Sequence, residues 1–328
     1  MDVRLQGHFT TKSPLSHISE SLSTTSYLAQ EPILQPDGAV CEVFCLSGNS
    51  WRGQLRDRAA AYMLARIGDP RLPLDAFHLL FSGGRIGGEQ TVNVERARAW
   101  RRTIPLVALF GGGVGNQILP GKLRIANAYP VCREAIPALL HTDPDAIVAS
   151  YRGMTMEKSF SRTDDGKDER LNQWLSDGAP TQAALMDGSG EPAVKPKRGK
   201  AAGEVADQMR MTAELLIAGV RLETRITALD VSEIELGALV SALHQFARSP
   251  HVGGQASRGH GLVDLDYEIV DLDTGEVRPF VAIRGGALTL ADPARTALDA
   301  YDAHLKIMYD AMLSERGGEI VKMLGAAA

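Results

Sequence analysis

The segment Gly48-Asn49-Ser50-Trp51-Arg52-Gly53-Gln54-Leu55-Arg56 decides the reading of this 328-residue chain. It follows an apolar run at 40–46, suited to a buried strand, and it opens a helix. Asn49 or Ser50 is placed to cap the first turn, and Leu55, Ala59, Tyr62, Met63 and Ile67 then recur at helical spacing. The unpaired N–H groups of such a turn, with the helix dipole, attract a phosphate. Glycines 48 and 53 let backbone approach backbone closely. Arg52 and Arg56 are four residues apart, so they share a helical face, and each can donate paired hydrogen bonds to phosphate oxygens. The same residues equally describe a capped core helix carrying two solvated arginines.

On the N-terminal side, residues 3–9 alternate Val3, Leu5, Gly7 and Phe9 with Arg4, Gln6 and His8, a half-buried strand. Residues 13–38, rich in Ser, Thr, Pro and Gln, read as a long loop. On the C-terminal side, 74–102 reads as short helices around the glycine-rich turn Gly83 to Gly88. The cluster Gly111 to Gly115 leads into a strand from Lys122 to Ala126, and 131–141 looks helical. Residues 162–206 are polar and read as a flexible insertion. Regular structure resumes at 209–228, where Val220, Leu222 and Ile226 face one way and Arg221, Glu223 and Arg225 the other. Residues 231–247 have a helical period, 262–270 alternate as a strand, Pro279 to Ile283 form another, and the tail from Pro293 to Leu324 is mostly helical. Strand, helix, insertion, strand, helix, strand is the order of a ferredoxin-like α+β sandwich, the RRM topology.

The formal net charge of -5 argues against a nucleic-acid partner, because such proteins usually carry a basic surplus. Local concentrations answer part of the objection. Arg52, Arg56, Arg58 and Arg66 outnumber Asp57; Arg96, Arg98, Arg101 and Arg102 outnumber Glu95; and Lys195, Lys197, Arg198 and Lys200 form a basic run. Each cluster can neutralise phosphates, and each can equally be a solvated face. Cys41, Cys45 and Cys132 make no disulfide framework and have no zinc-ligand spacing. The start has no apolar signal region and no run is long enough to span a bilayer, so a soluble, cytoplasmic protein without a membrane partner is expected. The glycines at 111–115 fail the phosphate-loop spacing: five residues separate Gly115 from Gly121, and Leu123 follows Lys122 where Ser or Thr is required. No cofactor is implied.

Two glycine motifs together resemble a known superfamily. Gly48 to Arg56 is similar to the G-x-S-x-[RK]-G-x-[LI]-R signature of the RAMP superfamily of CRISPR proteins, and Gly253-Gly254-Gln255-Ala256-Ser257-Arg258-Gly259-His260-Gly261 to its glycine-rich loop. Between them, Phe110-Gly111 and Lys122-Leu123-Arg124-Ile125 resemble the FG…RLR segment, and Arg152 to Arg162 (RGMTMEKSFSR) sits where backbone subunits carry a thumb hairpin. The order matches the repeated backbone subunits, most like the type IV version.

The resemblance implies an RRM-like palm in two parts, 1–148 with a helical insertion at 68–105 and 207–286, with a thumb and flexible insertion at 149–206 and C-terminal helices at 287–328. It implies that copies stack along a guide RNA (crRNA) in an antiviral ribonucleoprotein. Other CRISPR subunits, a helicase and a double-stranded DNA target, rather than RNA, are the expected partners. The expected RNA contacts are Ser47, Gly48, Asn49, Ser50, Arg52, Arg56, Lys122, Arg124, Arg152, Met154, Met156, Lys158, Arg162, Ser257 and Arg258. Met154, Met156 and Phe160 share a strand face that can wedge between bases or pack on the palm. The sheet aromatics of RRM proteins are missing: Asp264, Asp266 and Glu268 occupy the polar face of 262–270 and would repel phosphate. The loop from Ser13 to Gln35 has no Asp where target-cleaving relatives carry one. The expectation is guide binding without catalysis; the alternative is a RAMP-type endoribonuclease using His251 or His260 to process the guide, or cleaving target RNA.

Overall fold

The structure is a computed structural model, and it describes residues 1–86, 94–161 and 210–313. In chain order the strands are β1 (Val3–Thr11), β2 (Ile18–Leu22), β3 (Thr25–Leu28), β4 (Gln30–Leu34), β5 (Val40–Phe44), β6 (Gly84–Ile86), β7 (Gly112–Gly115), β8 (Gln117–Leu119), β9 (Leu123–Ile125), β10 (Tyr129–Pro130), β11 (Thr155–Ser161), β12 (Arg210–Leu216), β13 (Arg221–Ala228), β14 (Val263–Asp271), β15 (Val277–Arg284) and β16 (Ala287–Leu290). The α-helices are α1 (Gly48–Arg66), α2 (Leu74–Phe77), α3 (Val94–Thr103), α4 (Pro105–Phe110), α5 (Glu233–Ala247) and α6 (Asp292–Leu313).

β1 lies in the middle of the main sheet because every second residue can be buried: Val3, Leu5, Gly7, Phe9 and Thr11 point inward. It pairs antiparallel with β13 on one side, Val3 opposite Ala228, and with β14 on the other, Val3 opposite Asp271. β9 pairs antiparallel with β13. The order β9-β13-β1-β14, with α1 following β1 and α5 following β13, is the ferredoxin-like arrangement expected from the sequence. β15 and β16 extend the sheet beyond β14, and β10 pairs with the start of β13. The chain is thus an α+β protein with an RRM-like palm, helical insertions and a C-terminal helix.

Both palm helices cover the inward face. Trp51 of α1 packs edge-on between Phe9, at 5.1 Å, and Phe246 of α5, at 4.9 Å. Its indole N–H donates to the Tyr267 hydroxyl at 3.3 Å, so the one polar atom of a buried ring has a partner. A capping box starts α5: the Ser232 hydroxyl accepts from the Glu235 N–H while the Glu235 carboxylate accepts from the Ser232 N–H. α6 lies against α5 and is tied to α1 through Asp302, which accepts from Tyr62 at 2.8 Å and pairs with Arg66 at 3.0 Å.

A second sheet, in the order β11-β12-β3-β2, contains the antiparallel pair β11 and β12, which stands where the thumb hairpin is expected. The expected flexible insertion at 162–206, Arg162 and the basic run at 195–200 lie outside the described residues, as does the tail beyond 313. Three expectations need correction. The stretch at 13–38, read as a loop, holds β2, β3 and β4; these strands are short and mostly solvent-facing, so they lack the apolar alternation that marks a strand. The run at 40–46 is buried only in its second half, since Val40 is exposed and β5 pairs with β4 alone. The helix at 131–141 is only a short 3-10 helix of two turns over Arg133–Ala138, with Pro137 inside it.

Candidate nucleic-acid interface

α1 begins earlier than its Asn and Ser residues suggest. Ser47 is the cap: its hydroxyl accepts from the Asn49 N–H at 3.2 Å, leaving Asn49 exposed and Ser50 partly so. The Ser47 N–H donates to His17 Nε2 at 3.3 Å and the Gly48 N–H to Asn127 Oδ1 at 2.8 Å. Asn127 in turn donates to Glu31 at 2.9 Å. A Cβ on Gly48 would stand 2.5 Å from the Ile125 carbonyl oxygen, so the helix start sits directly against the strip Ile125–Asn127 only because residue 48 has no side chain.

From this start α1 turns Arg52 and Arg56 toward the C-terminal end of α4. Both guanidinium groups donate to the Phe110 carbonyl, Arg56 at 3.1 Å, and Arg56 also lies 5.6 Å from the centre of the Phe110 ring. Burial, then the neighbouring Arg124, lowers the pKa of Arg52; burial, then Arg52, does the same for Arg56. Arg56 is thereby committed to the fold. Arg52 reaches a cleft of about 550 Å³ lined also by Gly121, Arg124 on β9, Leu140, and Arg225 and Thr227 on β13. The lining contains three arginines and no carboxylate. Arg124 is exposed and, among the described residues, bonds only to the carbonyls of Gly121 and Leu123. The Arg225 side chain makes no hydrogen bond or ion pair among the described residues. Arg4 on β1 continues the stripe, its pKa lowered by burial and by Arg225.

The second glycine motif folds onto the segment beside His17. The Gly254 N–H donates to the Ser16 carbonyl at 2.6 Å and the Gly261 N–H to the Pro14 carbonyl at 2.8 Å. Gly253 has φ +74°, and a Cβ there would stand 2.2 Å from the Ser16 oxygen. Ala256–Arg258 form an exposed 3-10 turn. The Arg258 guanidinium stacks over the Phe160 ring of β11 at 4.6 Å, so the loop touches the thumb. His260 is buried, and burial followed by the nearby Lys158 lowers its pKa. Consecutive residues therefore hold the two motifs: Ser16 holds the 253–261 loop and His17 holds the start of α1. The helix start has that loop on one flank and the strip leading to the arginine cleft on the other.

The remaining expected residues divide. Arg152, Met156 and Lys158 are exposed on the thumb, Lys158 and Met156 on the same face of β11 as Phe160. Met154 is packed in the core just before β11, which removes it from the surface wedge. Lys122 faces the start of α5, 2.8 Å from the Glu235 carboxylate and 3.6 Å from that of Asp230, with its side chain mostly covered. On the outer face of the sheet, Asp264 pairs with Lys12 at 3.5 Å and Asp266 with Arg284 at 3.0 Å. That acidic strand is turned away from the helices, as the alternation predicts. Sequence reasoning missed Arg4 and Arg225 as part of the basic stripe and His17 as the link; the outward parity of Arg221 and Arg225 on one strand was the available signal for the first.

No protein-family model matches the sequence, and no curated protein does. Among solved structures, the chain matches one described as "Type IV-B CRISPR Complex" with a TM-score of 0.56 and 20% identity, covering 80% of this chain and 90% of that one. At that identity the likeness establishes the fold: this chain is built like a chain of that complex.

Proposed function

We propose that this chain is a RAMP-superfamily backbone subunit that binds guide RNA in a type IV-like CRISPR complex, without cutting it. The observation that carries the reading is the carboxylate-free cleft that joins Arg52, Arg124 and Arg225 beside the start of α1. Three guanidinium groups without a balancing acid are stabilised by an anion, and a strand of RNA supplies one at every nucleotide. Exposed Ser257, Arg258 and Lys158 extend the positive surface to the thumb, where Met156 and the Arg258-stacked Phe160 offer apolar area to a splayed base. The fold shared with a chain of a type IV-B CRISPR complex supports other subunits of such a complex as partners; further copies of this chain along the RNA, a helicase, and double-stranded DNA as the target rest on the sequence resemblance.

The test is to purify the protein from cells that express a CRISPR array, at low salt. Absorbance at 260 nm in excess of that of protein, with sequencing reads that return array-derived guides, is the expected result. Protein free of nucleic acid under those conditions refutes RNA binding. Incubation with repeat RNA should leave the RNA whole; products abolished by His260→Ala would instead establish the endoribonuclease reading.

A further inference from the structure

We propose that His8, His141 and Glu223 form a binding site for a divalent transition-metal ion of the zinc class, on the face of the sheet opposite the helices. The three residues are far apart in sequence and are brought together by register and by one loop. His8 on β1 stands directly opposite Glu223 on β13. His141 comes from the loop after the 3-10 helix Arg133–Ala138, laid over that pair. One ligand atom from each residue lies within 4.8 Å of the other two. The His8 and His141 rings are 5.3 Å apart between centroids and tilted by 58°, so they lie side by side without stacking. Two imidazoles and one carboxylate are a donor set for zinc, with a fourth position left open; two nitrogen ligands disfavour magnesium and calcium.

The surrounding hydrogen bonds orient the donors. Buried Glu223 accepts from the N–H groups of Leu140 at 2.5 Å, His141 at 3.2 Å and Thr142 at 2.8 Å, and from the Thr142 hydroxyl at 2.6 Å. Three of these four donors fall on Oε2, which leaves Oε1, 3.4 Å from His141 Nδ1, with a lone pair to offer. Because the Thr142 hydroxyl gives its proton to Glu223, its 3.1 Å contact with His8 Nε2 requires the ring to be the donor, and His8 Nδ1 is then free to ligate. Both ring nitrogens of His141 are enclosed: Nδ1 faces Glu223 Oε1 at 3.4 Å, outside hydrogen-bond geometry, and among the described residues the other near group is the Gly7 backbone. Covered ring nitrogens without well-formed hydrogen bonds are costly, and a metal ion supplies a stronger partner.

The site is reachable. His8 and His141 line a cavity of about 670 Å³ that opens on the outer face of the sheet, together with Arg221 and Asp266. Asp266 and Glu223 favour a cation there, and Arg4, Arg221 and Arg225 oppose it. Leu140, whose N–H Glu223 holds, also lines the arginine cleft, so the site backs onto one wall of that cleft.

The test uses untagged full-length protein, stripped with a chelator and dialysed against micromolar Zn²⁺, with metal quantified per chain. About one ion per chain is expected. Co²⁺ in place of Zn²⁺ should give the visible absorption of a four-coordinate ion, which reads the donor set without any substitution. His8→Ala and His141→Ala, with far-ultraviolet circular dichroism unchanged, should each weaken binding by more than the roughly 10- to 100-fold that loss of an outer-shell partner costs. Folded wild-type protein that takes up no zinc above the buffer level, or both histidine variants binding as wild type does, would overturn the proposal.

Discussion

Replacing Arg124 and Arg225 together with alanine separates RNA contact from fold. Among the described residues, exposed Arg124 bonds only to carbonyls of its own turn and Arg225 has no side-chain partner, so the double variant should stay within about 0.5 kcal/mol of wild type per site. Arg52 is left in place because it also holds the end of α4. If both arginines neutralise phosphates of a single strand, losing two contacts lowers the slope of log affinity against log salt by about 1.4, at roughly 0.7 for each. Between about 50 and about 200 mM salt, wild-type affinity then falls roughly sevenfold more steeply than that of the variant. Fluorescence anisotropy with a labelled guide RNA across a salt series measures both slopes. Parallel slopes, with a matching melting temperature, would show that the cleft does not meet the phosphate backbone.

Three further outcomes follow from the packing. Gly48→Val should destabilise the chain by about 1–3 kcal/mol, because the intruding carbon meets the backbone at Ile125 and Ala126 and cannot turn away; a thermal melt within a degree or two of wild type would contradict the close approach. Trp51→Ala should cost about 3–5 kcal/mol in urea unfolding, since it empties the space between Phe9 and Phe246 and leaves the Tyr267 hydroxyl with Thr224 alone. Burial holds His17 and His260 below the ordinary histidine pKa of 6.5. The unfolded chain therefore takes up more protons than the folded one as pH drops below 6.5, and stability is lost in that direction. Urea midpoints at pH about 7.5 and about 5.5 check the sign, and His17→Gln should flatten the difference.

The palm was legible in the sequence because its strands alternate. Val3 to Phe9 and Val263 to Ile269 each show one apolar face, and the helical spacing after Gly48 is unbroken, so strand and helix order could be read directly. β2 could not, since its five residues are all exposed and carry no periodic signal. The start of α1 was misplaced by two or three residues because several neighbouring side chains are good caps, and His17 and Asn127, distant in sequence, select Ser47 and Gly48. Lys122 read as a basic contact next to Arg124, but its partner Glu235 lies more than a hundred positions away. A separation of 81 to 83 positions likewise hid Glu223, whose ring of donors comes from residues 140–142. Local pattern reports which face a side chain takes; it does not report what waits on that face.

The place of β1 also sets a timetable for synthesis. It is made before every other described strand, and both of its neighbours are made late: β13 ends at Ala228 and β14 at Asp271. At about 5–20 residues per second, the inward side of Phe9 and Leu5 waits roughly 10–50 s for its second partner strand. During that interval the nascent chain carries an open, apolar strand edge, which is the species that chaperones hold and that aggregation consumes. A chain whose earliest described strand is paired only by much later ones is therefore more exposed to failure while being made than when finished.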